Sequence, residues 1–276
     1  MTIAAGFVVQ DGIVLCADTK YSGSMKVDRT KLFPTRFDSS LSVVFALAGH
    51  EGYGKMAAED CNDAIAAIDP SARSAIRVKR AIRGVVSGIN RNYIDVMPTP
   101  SDREDARFNL LAAVWHEIDG LHLFKVLRTS IVEVASHECI GIGDYLAGYL
   151  IGHPPPMDAR MAIILATHML SALKSYDANC GGYSQFITLR PDGTITQSKW
   201  YDSKVGDDHV FAYEQEVRRL LFAVSDPSMN DGPFNDTVDS FVSKIRDIRD
   251  SWRSEALKYE LFSQFMNTQR SPDSSK

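Results

Sequence analysis

Apolar residues along this chain fall into two kinds of run. One kind is short and continuous or alternating, as in half-buried or fully covered strands; the other repeats with a helical period. Residues 2–9 and 13–17 flank Asp11-Gly12, an Asp-Gly signal for a tight hairpin that ends on Asp18. Residues 41–47 (LSVVFAL) form an unbroken apolar run, the pattern of a strand covered on both faces. The period then becomes helical over 53–68 and 72–97, where Ile82, Val85, Val86, Ile89 and Tyr93 share one stripe. Pro98-Thr99-Pro100-Ser101 reads as a break. Strands are expected at 108–115, 121–126 and 131–134, the first two joined at Asp119-Gly120. Helices are expected at 144–151 and 159–176, separated by Pro154-Pro155-Pro156. A last hairpin at 184–189 and 195–200 turns at Asp192-Gly193, and helices near 214–223 and 238–265 close the chain.

Strands in hairpin-linked runs imply antiparallel sheets, and each helix pair must bury its stripe on a sheet face. The expected fold class is therefore α+β, a four-layer αββα sandwich of two antiparallel sheets flanked by helices. One domain is expected over 1–276, with a helical C-terminal extension at about 236–268.

The composition, 45% hydrophobic and 24% charged over 276 residues, fits a globular protein with a substantial core. A net charge of -5 disfavours a dedicated nucleic-acid binder. No run is long and apolar enough to predict a membrane span, and no charged segment followed by an apolar one predicts a secretory leader. Cys16, Cys61, Cys139 and Cys180 lack C-x-x-C spacing, so they read as free thiols and a cytoplasmic location is expected. The seven histidines form no metal-spaced cluster; no metal and no cofactor is expected. Gly49-His-Glu-Gly-Tyr-Gly54-Lys55 is a near miss for a phosphate loop, with Met56 where a Ser or Thr should bind magnesium. Gly141-x-Gly143 is followed by Leu146 in place of a third glycine. Arg73, Arg77, Lys79, Arg80 and Arg83 make a basic helix face, read as solvated or as a subunit contact.

The candidate chemistry sits at the start. Removal of Met1 would leave Thr2 with a hydroxyl and a free α-amine, nucleophile and base on one residue. An α-amine ordinarily titrates at about pH 7.7–8.0, which suits it to taking the hydroxyl proton near neutral pH.

Four stretches, in order, resemble the proteasome β-subunit and its bacterial relatives, the N-terminal-nucleophile threonine proteases. These are Thr2 through Gly12-Ile-Val-Leu-Cys-Ala-Asp18; Arg29-Thr30-Lys31-Leu32-Phe33; Ala48-Gly49-His50; and Tyr176-Asp177-Ala178-Asn179-Cys180-Gly181-Gly182. The resemblance implies Thr2 as nucleophile, Asp18 and Lys31 as an ion pair beside it, Gly49 as oxyanion donor and Asp177 as an orienter of the amine. It puts Tyr21, Arg29, Leu47 and Glu51 near the side-chain pocket. Two positions depart from the family pattern: Ile142 and Cys180 stand where serines usually orient the amine. The resemblance further implies endopeptidase action on unfolded polypeptides, a self-assembled homo-oligomeric ring or spiral, and an ATP-dependent unfoldase as partner. Two rivals share the fold: an amidase acting on a small amide, and a weak or inactive structural subunit.

Overall fold

A computed structural model describes residues 3–22, 26–197 and 200–268 of the chain. Thr2, the expected nucleophile, lies outside the described residues. Strands β1 (Ile3–Val9) and β2 (Gly12–Asp18) pair antiparallel about the Asp11-Gly12 turn. A small hairpin follows, β3 (Lys20–Ser22) with β4 (Lys26–Asp28). Next come β5 (Leu32–Arg36), β6 (Leu41–Gly49), and helices α1 (Glu51–Ala66), α2 (Ala75–Ile89) and α3 (Pro100–Asp105). Strands β7 (Phe108–His116), β8 (Gly120–Leu127), β9 (Ser130–Glu133) and β10 (His137–Gly141) precede α4 (Asp144–Ile151) and α5 (Ala159–Tyr176). The chain continues through β11 (Ser184–Leu189), β12 (Ile195–Gln197), α6 (Trp200–Ser225) and α7 (Asp231–Thr268).

Two five-stranded antiparallel sheets result, with orders β10-β1-β2-β11-β12 and β5-β6-β7-β8-β9. The period of two sorts their side chains into layers. On β6, Leu41, Val43, Phe45 and Leu47 join the cluster under α1 and α2, whereas Val44, Ala46 and Ala48 join the cluster between the sheets. On β1 and β2, Ile3, Ala5, Phe7, Val14 and Cys16 pack with α4 and α5, while Ala4, Ile13, Leu15 and Ala17 face inward to the other sheet. The expected α+β four-layer sandwich is the architecture observed. Each fully buried Leu, Ile or Phe contributes about 1.5–3 kcal/mol, so the three clusters dominate the stability of this unit. At Gly6 an added Cβ would sit 2.9 Å from Leu15 Cδ2 and 3.0 Å from Leu123 Cδ2, so the sheets approach closely beside β1.

Several elements differ from the sequence expectation for local reasons. The helix expected over 72–97 starts at Ala75, where Ser74 Oγ accepts from Arg77 N at 3.3 Å, and passes at Asn90–Ile94 into a wider π-turn. Pro100 does not break the chain but opens α3, where a missing N–H costs nothing; Thr99 Oγ1 caps Asp102 N at 3.1 Å. Strand β5 escapes sequence reading because Pro34 interrupts it, which is tolerated because β5 pairs only with β6 and lies at a sheet edge. The strand expected over 195–200 ends at Gln197, and Trp200 belongs to α6. That helix is far longer than 214–223, its first turns hidden by Gly206 and a run of polar residues.

By its contacts the chain divides between Asp207 and Asp208 into two compact units. The first holds both sheets and α1–α5. In the second, Glu216 is buried between helices, accepting from Lys244 Nζ at 2.7 Å on α7 and pairing with Arg219. His209 Nε2 meets Ser251 Oγ at 2.7 Å, a second tie between α6 and α7. No helix among the described residues is long and apolar enough to cross a membrane.

Candidate active site

Asp18 closes β2 and Lys31 stands immediately before β5. Their side chains meet in the interior: Lys31 Nζ donates to Asp18 Oδ1 at 2.5 Å, and neither side chain reaches solvent. Asp18 Oδ1 also accepts from Ile3 N at 3.3 Å, and Oδ2 accepts from Gly181 N at 2.9 Å. The carboxylate thus binds the start of β1, the lysine and the loop after α5 at once. Lys31 Nζ also donates to Lys20 O at 2.6 Å and lies 4.7 Å from the centroid of the Tyr21 ring.

The backbone fixes this lysine as firmly as the ion pair does. Lys31 N donates to Gln185 Oε1 at 3.1 Å on β11, and Lys31 O accepts from Leu47 N at 2.9 Å on β6. Burial pushes Lys31 down to about 8, opposed by the attraction of Asp18. Burial pushes Asp18 up, opposed by Lys31 and the N–H groups of Gly181 and Ile3.

The loop after α5 is tied to the same strand end. Lys20 Nζ donates to Ala178 O at 2.6 Å, and Lys20 N donates to Gly181 O at 3.2 Å. Thr19 Oγ1 accepts from Tyr183 N at 2.7 Å and donates to Asp28 Oδ1 at 3.0 Å. Asp177 terminates α5; its Oδ1 accepts from Asn179 N at 2.8 Å and its carbonyl accepts from Cys180 N at 3.0 Å. Its carboxylate therefore shapes the turn that delivers Gly181 to Asp18. Cys180 is buried with Ile3 in the cluster under α4 and α5, and burial pushes its thiol up to about 12.

The departing positions converge on the same strand. Gly141 lies opposite Ile3 in the β1–β10 register, and a Cβ at Gly143 would sit 3.7 Å from Ile3 Cδ1 and 3.8 Å from Cys180 Sγ. Ile142, between them, is exposed. Asp18, Lys31, Cys180 and the 141–143 turn therefore gather around Ile3, the residue after Thr2.

Gly49 ends β6 opposite Phe108 with φ of 100°, in the region where only glycine is at ease. A Cβ there would fall 2.4 Å from Arg107 O. The next residue caps α1: His50 N donates to Arg107 O at 2.8 Å, and His50 Nδ1 accepts from Tyr53 N at 3.3 Å. The four residues expected near a side-chain pocket divide into two pairs. Tyr21 and Leu47 are buried in the cluster under α1 and α2, and Arg29 Nη1 bonds Glu51 Oε1 at 2.6 Å toward solvent.

Sequence reasoning missed Lys20, Thr19 and Gln185 as supports of the pair. Gly181-Gly182 was visible as a motif, but nothing in the one-dimensional pattern marks Gln185, whose partner lies 154 residues away. Among the described residues, no group of three or more His, Cys, Asp or Glu side chains could hold a metal ion.

No family model and no curated protein matches this chain. Among solved structures, the chain is similar to Anbu from Hyphomicrobium sp. strain MC1, with TM-score 0.69 and 15% identity over 83% of this chain and 100% of that one. A Gly-1 mutant of the Hyphomicrobium Anbu gives TM-score 0.69 and 14% identity with the same coverage. Anbu from Yersinia bercovieri, described as an ancestral beta-subunit, gives 0.66 and 13%, again over 83% of this chain and 100% of that one. At such identity the likeness establishes the shared fold.

Proposed function

We propose that this chain is a threonine-type N-terminal-nucleophile endopeptidase acting on unfolded polypeptides or peptides within a self-assembled homo-oligomer. The observation that carries the reading is the sealed Asp18–Lys31 pair whose carboxylate also holds the N–H of Ile3. Thr2 precedes Ile3 by one peptide bond, so a processed Thr2 would begin beside a lysine and a carboxylate. The likeness to Anbu, one example of which is described as an ancestral beta-subunit, supports the same reading.

In this mechanism the neutral α-amine of Thr2 takes the proton from its own Oγ as Oγ attacks the substrate carbonyl. The Lys31 cation disfavours protonation of the amine and favours the developing alkoxide. Gly49 N–H donates to the oxyanion, a contact of a kind worth about 2.7–4 kcal/mol of barrier. The intermediate collapses with transfer of the proton to the departing amine, and an ester forms on Thr2. Water, deprotonated by the same α-amine, hydrolyses that ester. Asp177 acts by shaping the 177–181 turn, while Ile142 and Cys180, standing where the family carries serines, would offer the amine no hydroxyl group. Arg29 and Glu51 would meet the substrate side chain above the buried Tyr21 and Leu47. An ATP-dependent unfoldase would supply unfolded chains.

Intact-mass spectrometry with a threonine-directed covalent inhibitor tests this. The expected result is a chain lacking Met1 that gains one adduct, together with casein or peptide hydrolysis that Thr2→Ala abolishes. A chain that keeps Met1 and gains no adduct, or a Thr2→Ala variant of undiminished activity, overturns the reading. Hydrolysis of small acyl-amides with no action on peptides would assign an amidase instead.

A further inference from the structure

The five basic residues expected on one helix face separate into two groups once folded, with Arg73 falling before α2. Arg73 pairs with Asp38 and donates to Ile68 O, and Lys79 lies over the Phe124 ring at 5.1 Å. Arg77, Arg80 and Arg83 remain exposed, and none makes an ion pair or hydrogen bond through its side chain among the described residues. Ile76, 64% exposed, lies among them on the same face. Gly84 follows there, with nothing within 4 Å of an added Cβ, so the helix surface is low and open. Along α1, Asp60 and Asp63 are likewise exposed and form no ion pair among the described residues.

Helices α1 and α2 pack against each other and are joined by the short connection 67–74, so they run antiparallel. The second half of α1 and the first half of α2 therefore lie at the same end of the layer. Exposed acidic residues of α1 and exposed basic residues of α2 are thus carried at the same end of the layer, neither ion-paired among the described residues.

We propose that this face is an interface between two copies of the chain, related by a two-fold axis parallel to the helices. That rotation lays α1 of one copy on α2 of the other and repeats the contact with roles exchanged, as an isologous interface requires. Asp60 and Asp63 of each copy then meet Arg77, Arg80 and Arg83 of the other, around Ile76 as the apolar anchor. Arginine with an apolar residue is the composition of interface centres. A nucleic acid fits the face less well, because Asp60 and Asp63 would repel phosphate beside the arginines. The inference rests on the self-assembly in the functional reading and names one of its surfaces.

Sedimentation velocity at fixed protein concentration tests it. Arg80→Glu/Arg83→Glu and, separately, Asp60→Lys/Asp63→Lys each weaken association at least about tenfold, a change of about 1.4 kcal/mol. Mixing the two variants restores it, because both contacts of the mixed pair are then complementary; so does the fourfold exchange in one chain. Wild-type association also weakens with added salt. Variants that assemble like the wild type overturn the surface and leave self-assembly standing. A wild type that sediments as a monomer at all concentrations overturns both. Loss of assembly that neither mixing nor the fourfold exchange restores, in variants that keep the wild-type unfolding midpoint, also overturns the surface.

Discussion

Lys31 Nζ and Asp18 Oδ1 stand 2.5 Å apart with no solvent at either side chain, and the same carboxylate oxygen accepts from the backbone of Ile3. This makes the pair a structural support for the strand start as well as a candidate catalytic element. The balance of a buried pair is asymmetric: removing one partner strands the other charge.

Lys31→Met is therefore expected to cost about 3–5 kcal/mol of stability. A urea unfolding series should show the midpoint falling with the slope unchanged. Asp18→Asn combined with Lys31→Met should cost less than Lys31→Met alone, because no charge is then left buried.

The direction of the Lys31 shift sets a pH dependence. Its folded value is about 8 against an ordinary 10.5, so between those values the unfolded chain binds the proton more tightly. Where the unfolded state holds more protons, stability rises with pH. The Lys31 contribution is thus expected to increase from about pH 8 to 10.5, and to be absent in Lys31→Met. Comparing unfolding midpoints of the two proteins across this range isolates that contribution from other titrating groups.

Gly49→Ala should destabilise the strand-to-helix junction, since a Cβ meets Arg107 O at 2.4 Å and φ is 100°. Backbone strain of this type costs about 1–3 kcal/mol before the clash is counted. Thermal unfolding should fall by several degrees. Peptidase activity should fall more than the folded fraction does, because the substitution displaces the proposed oxyanion donor.

Cys180→Ser separates packing from chemistry. The side chain is buried with Ile3 among apolar neighbours, so a hydroxyl there is expected to cost about 1–3 kcal/mol. The same hydroxyl restores a stronger hydrogen-bonding group beside the start of β1. The expected outcome is a lower unfolding midpoint with faster acylation by a threonine-directed inhibitor. Unchanged or slower acylation in folded protein would remove Cys180 from the group that orients the amine.

Legibility in the sequence followed the range of the interactions. The Asp-Gly turns, the apolar run of β6 and the stripe of α2 are local, so hairpins, helices and the two-sheet sandwich could be read directly. Strands β5 and β10 could not: Pro34 masks one, and the other, HECIG, has no strong alternation and is defined by pairing with β1. Asp18, Lys31 and Gly49 became candidates through the family resemblance, on motifs taken in order along the chain. Their supports did not, because Gln185 and Lys20 act through single contacts with distant backbone.

By itself the sequence determined the periodicities, the turns and the supply of candidate groups, because those depend on neighbouring residues. Tertiary structure decided the geometry: Asp18 binds both Lys31, thirteen residues away, and Gly181, 163 residues away, with the two side chains of the pair shut from solvent. It also decided that burial should bring Lys31 down to about 8, since desolvation comes from the layers packed around a group and not from the residues beside it in the chain. The same packing satisfied Arg73, just before α2, and Lys79 on it, and left Arg77, Arg80 and Arg83 exposed.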